Sequence, residues 1–488
     1  MSRNLKAIIA CAAALVIVGG GYTALMLTEE SGSSSSSASE GEPIATSHGP
    51  VLSLEKTDIK SISVKNKSGG YEGVPSGKTG EDGFPIFEIK GIEDLPMNES
   101  ILSSLLNNAS NVGCDSVVEE NAKDLDKYGL KDPQAEVTVK TADGEKVLCV
   151  GNESPESGET YCMLKGEKEV FLTASAGMSV FANAPENFLA TTLIPKNDDK
   201  DAELSPGTIK IVRDDLDYDI LLEKDTFKSA SGNKAGTMAT HYMTEPIFSY
   251  LDAEKSQNAT QGFFGLSAYS AVYAHPTDEQ IKGCGLDAPS CTVSVDMSDG
   301  SSYTLKIGKK LDIENGEYYA LMINDVQVIY AVSADDLCWA SMKLGDITSK
   351  MIFGTFVWDV GKLTITAENG TETVFEGKGT DEDSFEVTKN GEKCSKERYK
   401  EFYQFLLKAS AEEVEMDEQP QGEPYVAVDL ESQDGQVSQK VEFYKSGSKK
   451  CLIVINGRPC FKCRSAYAEL LLKNLSVFDS DEAFVTNW

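Results

Sequence analysis

The strongest constraint on the fold of this chain is an internal repeat. Residues 128–133 and 284–289 both carry Gly-Leu at their second and third positions and Pro at their sixth. Ten residues after each Pro comes Asp-Gly, at Asp143 and Asp299, and a third copy keeps this spacing before Asp434. Alternating apolar residues flank each Asp-Gly, and this pattern predicts a β-hairpin with a type I′ turn. The repeat therefore predicts a chain built from similar units.

The repeat predicts an α+β fold with three units, at residues 51–195, 205–352 and 353–488. Each unit is predicted to be a mainly antiparallel sheet with helices packed on one face. One longer helix is predicted in each unit, over residues 100–111, 260–273 and 395–411, and a short helix is predicted after each of Ser175, Ser333 and Ser465.

The N-terminal segment is predicted to anchor the chain in a membrane. Residues 7–27 contain no charged side chain and would rise about 31 Å as a transmembrane helix, close to the thickness of a bilayer core. A cleaved signal peptide is the alternative, but its apolar region is usually about 7–15 residues long. Arg3 and Lys6 place a tail of residues 1–6 in the cytoplasm. Ser-rich residues 28–50 are predicted to be a flexible linker to an extracytoplasmic body.

The acidic composition excludes two classes of partner. The 488 residues include 78 Asp plus Glu against 45 Lys plus Arg, a formal net charge of −33. Nucleic acids and anionic lipid surfaces are bound by basic protein faces, so neither is predicted to bind the body. The body is instead predicted to meet proteins with basic faces.

Few residues are candidates for chemistry. Only three His occur, and His241 and His275 are the candidates for an alternative function as a cell-envelope hydrolase. His241 is followed by Glu245 and His275 by Asp278 and Glu279, but neither has a second His three or four residues away, so a two-His metal site on one helix is not predicted. The acidic run at residues 214–219 suggests a second alternative, a calcium-dependent surface adhesin. No catalytic, cofactor-binding or metal-binding constellation is recognised, and a non-enzymatic protein is predicted.

The cysteines favour packing over chemistry. Eleven are present, and most of them align with apolar residues in the other copies of the repeat, which is typical of small core residues. An exported body meets an oxidising environment, however, so a disulfide stays an alternative. Cys284 and Cys291 flank Gly285-Leu286 and are the first candidates for such a pair.

The first two units share three features. These are the Gly-Leu-x-x-Pro step, the hairpin that follows it, and a later strand that begins at Glu159 in the first unit and at Glu317 in the second. This set resembles the bacterial family known as domain of unknown function 4340. The resemblance implies an exported, single-span or signal-bearing protein of unknown precise role. It also implies a non-enzymatic scaffold or accessory subunit of an ABC-type export system. Integral membrane or envelope proteins would then be the partners.

Overall fold

The computed structural model describes residues 49–197, 204–227 and 239–487. The predicted membrane span at residues 7–27 lies outside these ranges, as do the cytoplasmic tail and nearly all of the Ser-rich linker. Within the three described ranges, no helix combines the length and the apolar character that a membrane crossing requires.

The strands of the described chain form four antiparallel sheets. The smallest is a pair of two-residue strands, β1 (Leu52–Ser53) and β5 (Asn111–Val112). The other three contain eight, nine and nine strands. The predicted mainly antiparallel architecture is therefore confirmed.

The first large sheet has the order β4-β3-β2-β7-β8-β9-β10-β6. Its strands are β2 (Ser61–Asn66), β3 (Tyr71–Thr79), β4 (Pro85–Ile89), β6 (Ser116–Glu119), β7 (Ala135–Thr141), β8 (Gly144–Glu153), β9 (Thr160–Leu164) and β10 (Val170–Thr173).

The second large sheet has the order β14-β13-β12-β11-β16-β17-β18-β19-β15. Its strands are β11 (Pro206–Arg213), β12 (Ile220–Lys224), β13 (His241–Glu245), β14 (Ser249–Tyr250), β15 (Ser270–Ala274), β16 (Cys291–Met297), β17 (Ser302–Leu311), β18 (Tyr318–Ile323) and β19 (Val328–Ser333).

The third large sheet has the order β23-β22-β21-β20-β25-β26-β27-β28-β24. Its strands are β20 (Val360–Ala367), β21 (Glu372–Lys378), β22 (Glu386–Lys389), β23 (Glu392–Lys393), β24 (Glu413–Val414), β25 (Val426–Ser432), β26 (Ser438–Ser446), β27 (Lys450–Ile455) and β28 (Arg458–Arg464).

The three large sheets share one connectivity. In each, an early strand (β2, β11 or β20) pairs with the strand that follows the repeated Pro (β7, β16 or β25). Three further strands continue from that pair toward one edge, where β6, β15 or β24 is added. The repeat in the sequence thus corresponds to a repeat in strand order.

Each Asp-Gly lies between two antiparallel strands, as predicted, at the hairpins β7–β8, β16–β17 and β25–β26. Only the Gly of each pair has a positive φ, +138° at Gly144, +86° at Gly300 and +73° at Gly435. A type I′ turn needs positive φ at both central residues, so the predicted turn type is wrong.

The α-helices are α1 (Glu99–Ser110), α2 (Ser175–Met178), α3 (Gln257–Gln261), α4 (Asp278–Gly283), α5 (Leu344–Ile347), α6 (Lys396–Leu406) and α7 (Ser465–Ser476). Short 3-10 helices lie at Lys56–Asp58, Asp126–Tyr128, Ser179–Ala182, Pro185–Phe188, Ala334–Asp336, Cys338–Ala340 and Val357–Asp359.

Helices begin at Ser175, Ala334 and Ser465, as predicted. Two of the three longer predicted helices are confirmed, as α1 and α6. Their starts are set by the side chains of Asn98 and Ser395, which accept hydrogen bonds from backbone N–H groups of the first turn. The helix predicted over residues 260–273 is wrong. There α3 ends at Gln261, and Gly265 has a φ of +80°, which interrupts any right-handed helix before β15 begins.

The described chain forms two compact units. The first contains the described residues up to Leu193, with Ser267–Ala288 and Gly308–Ala334, and the second contains the described parts of Ile194–Leu266, Pro289–Ile307 and the chain from Asp335 onward. The three domain ranges derived from the repeat stay a prediction.

The Gly-Leu steps of the repeat both lie in the core of the first unit. Leu130 and Leu286 are buried, and each belongs to a separate apolar cluster. The preceding Gly129 and Gly285 both have a φ of +70°, a backbone conformation that residues with a Cβ rarely adopt. In each Gly-Leu step, the Gly therefore allows the chain to turn and the Leu places an apolar side chain in the core.

Candidate functional site

His241 lies in the interior of the second unit, on β13, with only 2% of its surface exposed. Its Nε2 is 3.1 Å from the carbonyl oxygen of Pro206, and its Nδ1 is 2.8 Å from the hydroxyl of Thr240. A carbonyl only accepts hydrogen bonds, so Nε2 donates and the hydroxyl donates to Nδ1. With both ring nitrogens engaged inside the protein, the geometry favours a structural role for this imidazole.

His275 lies at the surface of the first unit, directly after β15. Its Nε2 is 3.0 Å from Oδ1 of Asp94, and both side chains are exposed. The two residues are 181 positions apart in the chain, which is why residue spacing alone did not reveal this partner. The pair orients the ring, as a carboxylate does for a catalytic imidazole.

The acidic run at residues 214–219 is partly neutralised within the second unit. The guanidinium of Arg213 binds the carboxylate of Asp215 with two hydrogen bonds, of 2.8 and 2.6 Å, and it lowers the pKa of that carboxyl. Lys210 pairs with Asp219 at 2.8 Å. A calcium ion here would have to displace two cations of the protein itself. In the described part of the chain, no cluster of three or more His, Cys, Asp or Glu side chains has a metal-binding arrangement.

The cysteines of the described residues are all free thiols, so the structure does not contain the alternative disulfide between Cys284 and Cys291. Both side chains are buried. Burial raises the pKa of Cys284, and it raises the pKa of Cys291 to about 12. Cys162 is affected in the same way, with a pKa of about 12.

These pKa values predict how the thiols react. At pH 8 we expect iodoacetamide to leave Cys162 and Cys291 unmodified in the folded protein, since only about one thiol in ten thousand is ionised at a pKa of 12. In guanidinium chloride without reductant, Cys284 and Cys291 should both be alkylated, as peptide mass spectrometry would show. Alkylation of this pair only after reduction would instead establish the disulfide.

The second unit contains an aromatic pocket of about 280 Å³. We define it by Asp225, Phe227, Tyr242, Phe248, Tyr250 and Gln439, which lie among its lining residues.

The β13–β14 hairpin positions three rings of the aromatic pocket. Tyr242 and Tyr250 are directly opposed across the two strands, so both side chains point to one face. The ring of Phe248, from the turn between the strands, has its centroid 6.0 Å from that of Tyr242 and 5.4 Å from that of Tyr250. The hydroxyl of Tyr242 donates to Glu223 at 3.1 Å. The rings are therefore held in place before any ligand arrives.

Gln439 supplies an acceptor to the same pocket. Its side chain is 3% exposed, and its Nε2 donates to the carbonyl oxygen of Ile352 at 2.9 Å. Its Oε1 is buried and has no hydrogen-bond partner. An unpaired buried acceptor costs free energy, which a ligand that donates a hydrogen bond would recover.

Asp225 gives the aromatic pocket a negative charge. The pKa values of Tyr242 and Tyr250 are both raised to about 12, first by burial and then by nearby carboxylates that include Asp225. No Lys, Arg or His side chain lies among the described residues that line the pocket. Aromatic faces, a carboxylate and an unpaired amide oxygen together suit a ligand that is cationic and carries N–H donors.

Comparison with known proteins gives one match. The family model of the Domain of unknown function (DUF4340) matches residues 88–213 and 242–426, more than half of the chain. No curated protein and no solved structure matches the chain. The match includes most of β13 and all of β14, which carry three rings of the aromatic pocket, and it confirms the resemblance that the repeat indicated. The chain therefore belongs to the DUF4340 family.

Proposed function

We propose that this protein is a non-enzymatic accessory subunit of an ABC-type export system, anchored by residues 7–27 with its body outside the cytoplasm. It would act by binding an integral membrane or envelope protein. Family membership supports the proposal, because the family resemblance is what points to exporters. The N-terminal apolar run and the acidic composition support the location and the choice of a protein partner.

The observation that carries the binding role is the aromatic pocket. Its rings and its unpaired amide oxygen are fixed within the second unit, and its lining includes a carboxylate but no described basic side chain. A Lys or Arg side chain of a partner fits this chemistry, because it offers both a positive charge for the rings and N–H donors for the oxygens. The net charge of −33 would favour the approach of a basic partner surface.

Affinity purification of the full-length protein from membranes in mild detergent tests the proposal. We expect transporter subunits to be recovered with the wild-type protein. Asp225→Asn combined with Phe248→Ala should lower their recovery at least tenfold, because it removes the charge and one ring of the pocket. Quantitative mass spectrometry of the eluates measures the change.

Asp383→Asn is the matched control, because it removes one exposed carboxylate of the second unit elsewhere on its surface. Its recovery of partners should equal that of the wild type, and both variants should keep the wild-type melting temperature. Recovery of the wild-type protein without any transporter subunit would contradict the exporter. Equal recovery with and without the aromatic pocket would contradict its role in docking.

The hydrolase alternative has one observation in its favour, the contact between His275 and Asp94. His275→Ala separates the two functions in the same purification. If the protein is an accessory subunit, the variant should recover the same partners and cells that carry it should have the wild-type phenotype. If it is a hydrolase that depends on this imidazole, the partners should still be recovered but the cells should lose the phenotype. If the protein is a calcium-dependent adhesin, calcium should raise its melting temperature and a chelator should reverse the increase.

A further inference from the structure

The first unit contains a cavity of about 340 Å³, which we call the amide pocket. The described residues give it a polar lining of four Asn, three Ser, one Thr, one Tyr and one Glu side chain. We define it by Asn98, Asn108, Asn183, Glu186, Asn187 and Tyr269.

The helix α1 and the 3-10 segments after α2 form two walls of the amide pocket. Asn108 lies on α1, and a Cβ at Gly177 would be only 2.9 Å from its Oδ1, so the absence of a side chain at Gly177 makes room for this amide. Two side chains of the first large sheet hold the opposite segment. Asn66 donates to the carbonyl oxygen of Asn183 at 2.7 Å, and Tyr71 donates to that of Val180 at 2.9 Å.

Asn183 is the most informative residue of the amide pocket. Its side chain is 4% exposed, yet its Oδ1 has no hydrogen-bond partner. Buried polar atoms are almost always hydrogen-bonded, and each exception calls for an explanation. A ligand hydroxyl in the amide pocket would satisfy this oxygen.

We propose that the amide pocket binds a neutral saccharide. Amide and hydroxyl side chains offer both donors and acceptors, which matches sugar hydroxyls because these also donate and accept. Ile101, Val180 and Leu189 supply apolar surface for the C–H faces of a sugar ring. The ring of Tyr269 is fixed against Tyr318, with centroids 4.5 Å apart, and adds a flat surface for stacking.

The charge and the volume of the amide pocket limit the class of saccharide that it can bind. Among the described residues that line the pocket, Glu186 is the only charged one and none is cationic, so an anionic sugar would meet repulsion. A volume of about 340 Å³ is at the small end of ligand pockets, which limits the bound part to about one or two sugar rings.

The test uses the full-length protein in a polyoxyethylene detergent, because maltoside detergents carry sugar headgroups. Cellobiose, maltose and N,N′-diacetylchitobiose are the probes, and saturation-transfer NMR and calorimetric titration measure binding. We expect at least one probe to bind with a Kd in the micromolar to millimolar range. Galacturonic acid and trialanine should bind at least tenfold more weakly.

Asn183→Leu is the decisive variant. It removes an oxygen that has no partner in the free protein, so it should keep or raise the melting temperature while it weakens saccharide binding at least tenfold. Asn108→Ala should weaken binding by a similar factor, and the neighbouring exposed Asn107→Ala should not change it.

Three results would overturn the proposal. One is the absence of binding by all three disaccharides at 10 mM. The second is binding that Asn183→Leu and Asn108→Ala leave unchanged. The third is tighter binding of galacturonic acid or trialanine than of the neutral disaccharides. None of these results bears on the transporter partner, since the aromatic pocket is formed by residues of the other unit.

Discussion

Replacing Trp339 by Ala should lower the free energy of unfolding of the second unit by about 3–5 kcal/mol, the usual range for a large buried aromatic side chain. Trp339 is fully buried, and its ring stacks on Phe263 with centroids 4.4 Å apart. Its indole Nε1 also donates to the carbonyl oxygen of Ala259 at 2.9 Å. The substitution therefore leaves a cavity and removes the donor from a buried carbonyl.

Denaturant unfolding of the full-length protein, followed by circular dichroism, measures this loss. Phe356→Ala is the control, because Phe356 is an exposed aromatic residue of the same unit and its removal should change stability by less than about 0.5 kcal/mol. Trp339→Phe should lie between the two, since it keeps a ring against Phe263 but loses the hydrogen bond. A loss below 1 kcal/mol for Trp339→Ala would contradict the packing described for this residue.

Gly308→Ala should destabilise the first unit by about 1–3 kcal/mol, the usual cost of overpacking. A Cβ at Gly308 would lie 2.3 Å from the carbonyl oxygen of Cys284, far inside van der Waals contact. The same geometry recurs in the first copy of the repeat, where a Cβ at Gly151 would lie 2.3 Å from the carbonyl oxygen of Tyr128. Gly151→Ala should therefore have an effect of the same sign and size.

Gly113→Ala is the matched control, because a Cβ there would meet no atom within 4 Å. Thermal unfolding monitored by circular dichroism compares the three variants. If Gly308→Ala and Gly151→Ala melted at the wild-type temperature, the close approach of strand and turn in both copies would be wrong. Unequal effects of the two substitutions would mean that the two copies do not pack alike.

The two strand glycines show what pattern reasoning overlooks. The repeat revealed Gly129 and Gly285, since these belong to a recognisable Gly-Leu-x-x-Pro step. Gly151 and Gly308 lie within strands, where a Gly is usually a weak position, and their reason appears only when the turn packs against them. The turn glycines belong to a motif that is visible in the sequence. The strand glycines that pack against these turns do not.

Local patterns were sufficient for several elements. Alternation around Asp-Gly predicted the hairpins, because it reflects interactions between residues close in the chain, and the helices α1 and α6 were also predicted. The turn type and the helix over residues 260–273 were wrong. The turn type was wrong because only the Gly of each Asp-Gly has a positive φ, and the helix was wrong because Gly265 has one. Composition does not reveal such backbone angles.

The candidate sites were beyond local reasoning. His275 and Asp94 are 181 residues apart, and Gln439 reaches the rings of the β13–β14 hairpin from a strand of another sheet. Asn183 gives no signal in the sequence, because an Asn in a loop is ordinarily solvated. Its significance comes from burial without a hydrogen-bond partner.

The sequence by itself determined the repeat, the hairpins, the acidic charge and the family, since each depends on residue order or composition alone. Only the tertiary structure decided that His241 is held by a buried carbonyl and that Asn183 and Gln439 carry unpaired oxygens. It also decided that the described cysteines are free thiols. These properties depend on which distant segments exclude water from a given atom, and solvent exclusion is a property of the packed chain.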